Sequence, residues 1–137
     1  MERAVKWEKS CGIVVFNDKD EVLMVKHNIG HWGMPKGHVE ENETEEETAF
    51  REVLEETNVK ANIIDGFRKV ITYSPKANTM KDVVFFVGTV SSGNIQKQDM
   101  EVEKVEFIKV PGALDLLTKY PNMKDVLTEA YKFYKGE

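Results

Sequence analysis

The chain has 137 residues, of which 41% are hydrophobic and 31% charged, a size and balance typical of one globular domain over residues 1–137. Its 19 lysines and arginines against 24 aspartates and glutamates give a net charge of −5, which argues against broad electrostatic binding to nucleic acid or to an anionic membrane. A single cysteine, no long apolar run at the N-terminus and no stretch of about 20 apolar residues predict a cytoplasmic protein without a membrane span.

The N-terminal third predicts a hairpin followed by a long loop. Residues 9–16 and 21–27 are apolar and β-branched, and the segment NDKD between them has a turn composition, so the two runs predict a β-hairpin. Trp7 and Cys11 are expected to be structural residues. Residues 28–42 contain three glycines and a proline without sustained periodicity, which predicts a loop. Loops of this length in compact domains are usually functional.

A helix is predicted to begin after Thr44. Thr44 and Glu47 match a capping box, in which each side chain accepts a hydrogen bond from the backbone N–H of the other residue. The helix should run to about Thr57. Asn58 then stands at the position after a helix that favours a left-handed backbone, a role that asparagine can fill in place of glycine.

Strands are predicted after this helix. Residues 61–74, 83–90 and 102–110 have the composition or the alternation of strands, and Gly66 indicates a bulge within the first of them. A polar loop is expected between the first two strands, and it contains Pro75, Asn78 and Lys81.

The C-terminus changes to helical spacing. One short helix is predicted from Pro111 through Leu117, and a second begins with Pro121 in its first turn. The second helix carries an apolar stripe that predicts core packing, formed by Met123, Val126, Leu127, Ala130 and Tyr134.

One face of the central helix is acidic. Glu52 and Glu56 are a like-charge pair at i and i+4 in the C-terminal half of the helix, where mutual repulsion and the helix dipole are both unfavourable. A divalent cation reverses this effect, because hard cations such as Mg²⁺ need clustered oxygen ligands. The alternative is a solvated acidic face. At about 100° per residue, the acidic face holds Glu45, Glu52, Glu55 and Glu56, and the face expected to dock against a sheet holds Phe50, Val53 and Leu54.

The loop before the helix adds groups that suit phosphate. Lys36 and His38 flank Gly37, so two side chains that can donate to phosphate stand beside a residue that lets the backbone approach a ligand closely. Together with the acidic face, these residues predict metal-assisted phosphate chemistry. Water is the expected nucleophile, because no Ser/His/Asp or Cys/His arrangement is evident in the sequence.

Residues 37–59 resemble the box that defines the Nudix hydrolase family. The family pattern is Gly, five residues, Glu, seven residues, and then Arg-Glu-apolar-X-Glu-Glu-X-Gly-apolar. This chain has Gly37, Glu43 and, over residues 51–59, REVLEETNV. Every specified position matches except the last glycine, which is Asn58, a residue that also tolerates the left-handed backbone. The resemblance implies an α/β fold, with an α/β/α sandwich around a mixed β-sheet.

The same resemblance implies hydrolysis of a nucleoside diphosphate linked to another group, with Mg²⁺ as the cofactor and Mn²⁺ as a substitute. It implies that Arg51 orients the glutamates and that Glu43 supports the loop through Arg51 in preference to binding metal. The metal ligands or partners of metal-bound water that it implies are Glu52, Glu55 and Glu56, with the Gly37 carbonyl as a further ligand.

Residues 32–40 (WGMPKGHVE) are similar to a loop of the asymmetrical diadenosine tetraphosphate hydrolases, a branch of this family that forms ATP and AMP. The likeness implies that Tyr73 stacks on a base and that Glu101 is an acidic metal ligand or catalytic residue, with Glu103 as its substitute. Tyr120 is expected as a second stacking ring or, alternatively, as a packing residue. The side chains expected to gather the phosphates are Lys36, Lys81, His38 and His31, the last with an ordinary surface role as its alternative.

Two other classes stay open. One is another Nudix specificity: a nucleoside triphosphate, an RNA 5′ pyrophosphate, or ADP-ribose, for which Pro75 lies sixteen residues after Val59. The other is a nucleotide sensor without catalysis, against which the three intact glutamates argue. The expected partner is a small nucleotide or dinucleoside polyphosphate, with no broad nucleic-acid binding and no membrane, and the oligomeric state is left open.

Overall fold

The computed structural model describes residues 4–98, 100–119 and 121–137. The described residues form seven strands and three helices. In chain order these are β1 (Lys6–Phe16), β2 (Glu21–His27), β3 (Trp32–Gly33), β4 (Lys36–His38), α1 (Glu45–Thr57), β5 (Lys60–Lys76), β6 (Thr79–Ser92), β7 (Val102–Lys109), α2 (Val110–Leu116) and α3 (Pro121–Lys135).

The strands form one mixed sheet. Its order is β3-β2-β1-β6-β5, with β4 paired to β1 and β7 paired to β2. β1 runs parallel to β6 along its whole length, and the other pairings are antiparallel. Helix α1 packs on one face of the sheet, and α2 and α3 pack on the other. The predicted α/β/α sandwich around a mixed sheet is therefore confirmed.

Strand β1 supplies both cores because successive side chains of a strand point to opposite faces. Val14 and Phe16 pack with α2 and α3, whereas Cys11 and Ile13 pack with α1. Burial raises the pKa of the Cys11 thiol to about 11, so the cysteine has the structural role predicted for it. The same prediction for Trp7 is wrong: its side chain lies near the exposed start of β1 and is 60% accessible to solvent.

The segment between the hairpin and α1 is more ordered than predicted. Residues 28–42 were predicted as one loop, but they contain β3, which pairs with β2, and β4, which pairs with β1. These strands have two and three residues. Such short strands leave no periodicity in the sequence, and the partner of β4 lies more than 20 residues away along the chain.

The connection between β5 and β6 is shorter than predicted. Pro75 lies within β5 and Lys81 within β6, so the predicted polar loop is wrong at both residues. The strands are joined by a tight turn in which Asn78 has a φ of 55°. The bulge predicted at Gly66 is confirmed, because Gly66 has a φ of 113° and the pairing register shifts between Ile64 and Lys69.

Helix α1 begins and ends as predicted, but it docks differently. Thr44 and Glu47 form both bonds of the capping box. Phe50, expected against the sheet, is 38% exposed, whereas Glu56 is only 5% exposed. Val53 is buried as predicted. Glu56 lies three residues after it and so shares its face.

The C-terminal predictions are also confirmed. The residues of the α3 stripe are buried or half-buried against the sheet, and α2 carries its proline in the first turn. No helix within the three described ranges is long and apolar enough to cross a membrane.

Asn58 is the residue at which this chain departs from the family pattern, and it has a left-handed backbone with a φ of 67°. We expect Asn58→Ala to lower the free energy of unfolding by about 1–2 kcal/mol, because a Cβ without a compensating local hydrogen bond is strained there. Asn58→Gly relieves the strain but loses the 2.9 Å bond from Asn58 Nδ2 to the Asn94 carbonyl, so its stability should stay within about 0.5 kcal/mol of the original. Urea denaturation measures the free energy of unfolding of both variants. Equal losses in the two variants would show that the side-chain bond, and not the backbone, governs this position.

Candidate active site

Strand β4 meets helix α1 at Gly37. Gly37 is paired with Cys11 in the sheet. The carboxylate of Glu52 lies against the Gly37 backbone, in the space that a Cβ atom would occupy. Glycine is therefore required at this position for close approach of the carboxylate.

Arg51 joins the loop before α1 to the carboxylates of α1. Its Nε and Nη2 donate to Glu43 at 2.6 and 2.9 Å, and its Nη1 donates to Glu52 at 2.6 Å and to Glu55 at 3.2 Å. Nη2 also donates to the His38 carbonyl at 3.0 Å. The bonds from Arg51 hold the pKa of Glu43 down to about 2, and they raise the pKa of Arg51 itself.

Glu56 ties the C-terminal half of α1 to β4. Its Oε1 accepts a 2.9 Å hydrogen bond from the backbone N–H of Lys36. Glu52 is nearly as shielded, with 16% of its side chain exposed, whereas 56% of the Glu55 side chain is exposed. The acidic residues nearest β4 are thus not a solvated face, which was the alternative that the sequence left open.

The donor set fits a hard divalent cation. The carboxylates of Glu52 and Glu56 and the Gly37 carbonyl offer only oxygen ligands, which Mg²⁺ prefers. Burial raises the pKa of Glu52 despite its bond to Arg51, and a cation beside it would favour the ionised form. Over the described ranges, no three or more His, Cys, Asp or Glu side chains are grouped as they would be around a metal ion; Glu55 contacts Arg51 instead.

A cleft of about 460 Å³ is lined in part by Lys36, the residue whose backbone is bonded to Glu56. Its volume lies within the usual range for a small-molecule site, about 300–1,000 Å³. Five residues singled out from the sequence line it together, although they come from four separate parts of the chain: His31, Lys36, Tyr73, Lys81 and Glu101.

Two lysines give the cleft its positive charge. Lys81 is only 8% exposed, and burial lowers its pKa. Burial, with the charge of Lys81, lowers the pKa of Lys36 to about 8. Burial also lowers the pKa of His31, with a further contribution from Lys119. An anion bound in the cleft would remove the repulsion between these groups, so the cleft is suited to a phosphate chain.

The other site residues proposed from the sequence lie elsewhere or are not described. The His38 ring is 3.5 Å from the Glu8 carboxylate and is largely exposed, and it is not among the residues that line the cleft. Glu103, the substitute for Glu101, forms an ion pair of 3.4 Å with Lys26. Tyr120, the second stacking ring, lies outside the described residues.

Three consecutive residues of the cleft, His27, Asn28 and Ile29, were missed by the sequence interpretation. His27 lines it, with its ring centroid 5.1 Å from that of His31. Asn28 holds the loop before β7 in place: its side chain donates to the Met100 carbonyl at 2.6 Å, and its backbone N–H donates to the Glu101 carbonyl at 2.9 Å. A contact between residues more than 70 positions apart leaves no signal in a single sequence.

The fold and site define a known class of protein. The NUDIX domain family matches residues 6–130, so the chain belongs to the NUDIX family and is a Nudix hydrolase, as the box predicted.

Its similarity to known proteins extends over nearly the whole chain. It is 30% identical over 140 residues to the asymmetrical bis(5'-nucleosyl)-tetraphosphatase of Mus musculus, covering 91% of this chain and 94% of that protein. It is also 30% identical to a putative 8-oxo-dGTP diphosphatase of Bacillus subtilis, covering 82% of this chain and 72% of that protein. The crystal structure of a C. elegans Ap4A hydrolase binary complex superposes with a TM-score of 0.84 at 23% identity, covering 95% of this chain and 99% of that one.

Proposed function

We propose that this chain is a single-domain, Mg²⁺-dependent pyrophosphohydrolase that cleaves diadenosine tetraphosphate asymmetrically to ATP and AMP. One observation carries the proposal. Strand β4 places Lys36 in the cationic cleft while its backbone is bonded to Glu56 and the next residue, Gly37, contacts Glu52. A phosphate chain in the cleft would therefore lie beside the carboxylates that suit a metal ion.

Each part of the site has a role in this reaction. Lys36 and Lys81 bind the phosphate chain, and the Tyr73 ring stacks on a base. Glu52 and Glu56, with Glu55 and the Gly37 carbonyl, hold the cation. A Mg²⁺ ion held by these oxygens would supply the activation of a water molecule and would offset the charge on the phosphate oxygens.

Positioning residues complete the proposed site. Arg51 orients Glu52 and Glu55, and Glu43 fixes Arg51. Glu101 supplies a further carboxylate at the cleft for metal binding or for accepting the proton of the attacking water. His31 adds a donor for phosphate, His38 binds phosphate from outside the cleft, and Tyr120 is the second base-stacking ring.

The similarity to the mouse tetraphosphatase over almost the full length of both proteins supports this choice of substrate. A second candidate is ADP-ribose, because Pro75 lines the same cleft as Lys81 and Tyr73. The B. subtilis relative makes a modified nucleoside triphosphate a substrate worth including in the same test.

Product analysis tests the proposal. The protein is incubated in the presence of Mg²⁺ with one substrate at a time: diadenosine tetraphosphate, ADP-ribose, 8-oxo-dGTP or a 5′-triphosphorylated RNA. The products are separated by chromatography. We expect ATP and AMP from the first substrate at the highest kcat/KM, loss of turnover in chelator, and recovery on adding Mg²⁺ or Mn²⁺.

Each other outcome selects a different function. Formation of two ADP molecules would contradict asymmetric cleavage, and faster turnover of ADP-ribose or 8-oxo-dGTP would select that substrate. Nucleotide binding in calorimetry without turnover of any of the four would favour a sensor.

Gly37→Ala is expected to lower kcat by about 10- to 100-fold, because the new methyl group displaces the Glu52 carboxylate. Gly112→Ala is the matched control: it lies in α2, where the nearest atom to an added Cβ is 3.4 Å away. It should leave activity unchanged and raise stability by about 0.5–1 kcal/mol. Steady-state kinetics and urea denaturation measure the two effects. Full activity in Gly37→Ala would mean that the position of Glu52 does not matter for turnover.

A further inference from the structure

The hydroxyl group of Ser10 is buried without a protein partner. Ser10 lies in the middle of β1 and is 0% exposed. Among the residues that the structure describes, no protein atom forms a hydrogen bond with its Oγ. Buried polar groups in folded proteins are nearly always satisfied, and an unsatisfied one costs stability. An exception therefore needs a physical explanation.

The sheet register places Ser10 on the face of the sheet that carries the lysines of the cationic cleft. Ser10 is paired with His38, and Gly12, on the same face of β1, is paired with Lys36. On the other side, Glu8 is paired with Lys81. Directly paired residues share a face of the sheet, and so do alternate residues of one strand. Ser10 consequently lies on the same face as Lys36 and Lys81, between the two strands that carry them.

Within the described part of the chain, the Ser10 hydroxyl lacks a hydrogen-bond acceptor, and the ammonium groups of Lys36 and Lys81 cannot supply one. An ammonium group is a donor only, whereas a hydroxyl can both donate and accept. Lys36 and Lys81 have long side chains on the same face of the sheet as Ser10, and the charged end of such a side chain can move toward an anion while the strands beneath it stay fixed. A phosphate oxygen between the two ammonium groups would also be an acceptor for the hydroxyl below.

We propose that Ser10 is a substrate-binding residue whose hydroxyl donates a hydrogen bond, directly or through one water molecule, to the phosphate chain held by Lys36 and Lys81. This inference rests on the proposed function for the identity of the substrate. It adds a residue that lies outside the family box and is not among the residues that line the cleft.

Ser10→Ala tests the inference. We expect KM for diadenosine tetraphosphate and Kd for ATP, measured by calorimetry with Mg²⁺, each to rise about tenfold, since a hydrogen bond to a charged group is lost. The value of kcat should stay within twofold, and the midpoint of urea denaturation should be unchanged or higher, because the variant no longer buries an unsatisfied group. Ser10→Cys keeps the side-chain size with a weak donor, and it should bind as poorly as Ser10→Ala.

A matched control uses a buried hydroxyl that does have a partner. Thr79 is 4% exposed and its hydroxyl donates to the Ala77 carbonyl at 3.1 Å. Thr79→Val should lower the denaturation midpoint and leave Kd for ATP within twofold. This is the opposite of the pattern expected for Ser10.

The possible results separate the two proposals. Unchanged Kd and KM in both Ser10 variants would overturn the role of Ser10, and so would a loss of binding that merely follows a loss of stability. If the original chain binds ATP but does not cleave the dinucleotide, the proposed substrate is wrong while Kd still decides the role of Ser10. If the original chain cleaves the dinucleotide but does not bind ATP, KM alone decides the role of Ser10; if it neither cleaves the dinucleotide nor binds ATP, both proposals fail.

Discussion

Glu56→Gln is expected to lower kcat for diadenosine tetraphosphate by about 10²- to 10³-fold. The substitution removes the charge that the proposed function assigns to metal binding, but glutamine keeps an oxygen that can accept the 2.9 Å hydrogen bond from the Lys36 backbone. The link between α1 and β4 should survive. A buried amide is also less costly than a buried carboxylate, so the free energy of unfolding should change by no more than about 1 kcal/mol.

The control for this variant is Glu46→Gln, on the same helix. Glu46 lies in the first turn of α1 and is exposed, so its replacement changes the net charge equally without reaching the cleft. Its kcat should stay within twofold. Its free energy of unfolding should fall by roughly 0.3–0.5 kcal/mol, because a negative charge near the helix N-terminus is lost. Steady-state kinetics at several Mg²⁺ concentrations measures both variants. Glu56→Gln with normal kcat at saturating Mg²⁺ would exclude Glu56 from the chemistry.

Arg51→Ala is expected to lower the free energy of unfolding by about 2–4 kcal/mol, because it removes the donor shared by three carboxylates and leaves the half-buried Glu52 without its short hydrogen bond. It should also lower kcat, since Glu52 loses its orientation. Arg51→Lys restores the charge but not the planar fork that reaches Glu43 and Glu52 together, so we expect it to recover part of the stability. Guanidinium denaturation gives the values.

An exposed arginine on the same side of the sheet provides the comparison. Arg68 donates to Glu45 at 2.8 and 2.9 Å, with half of its side chain exposed. Because exposed ion pairs contribute little, Arg68→Ala should cost no more than about 1 kcal/mol. Equal losses in the two variants would show that the Arg51 network is an ordinary surface ion pair.

Lowering the pH separates the electrostatic contribution of Arg51 to stability from its packing contribution. The pKa of Glu43 is held at about 2, against an ordinary value of 4.5. A carboxyl with a lowered pKa in the folded state contributes stability above pH 4.5, and that contribution is lost as the pH falls toward 2. The stability difference between the original chain and Arg51→Ala should therefore shrink between pH 5 and about pH 2.5. A difference that stays constant over this interval would assign the effect to packing.

Local signals in the sequence were sufficient for α1 and for the carboxylates on it. The capping box at Thr44 and Glu47 and the left-handed residue Asn58 involve neighbours within a few positions, so the helix ends were predicted correctly. The family box spans 23 residues of contiguous chain, and it placed Gly37, Arg51 and Glu52 within a segment whose geometry is largely set by one loop and one helix.

The tertiary structure decided which face of α1 is buried. Phe50 is the more apolar residue, but the position of Ala49 and Val53 against the sheet carries Glu56 inward with them. The 2.9 Å bond from the Lys36 backbone then satisfies one oxygen of that carboxylate. Periodicity identifies the two faces of a helix, but the neighbouring elements determine how the helix is rotated against the sheet.

The sequence by itself therefore determined the carboxylates on α1, because the capping box and the family box each lie within a short stretch of chain, and the resemblance carried by the family box implied the family and the α/β fold. Only the tertiary structure brought Lys36, Lys81, Tyr73 and Glu101 into one cleft and placed Ser10 on the same face of the sheet as the two lysines. Those residues lie on β1, β4, β5, β6 and the loop before β7. Their proximity is set by strand register, a long-range property that no local pattern in one sequence records.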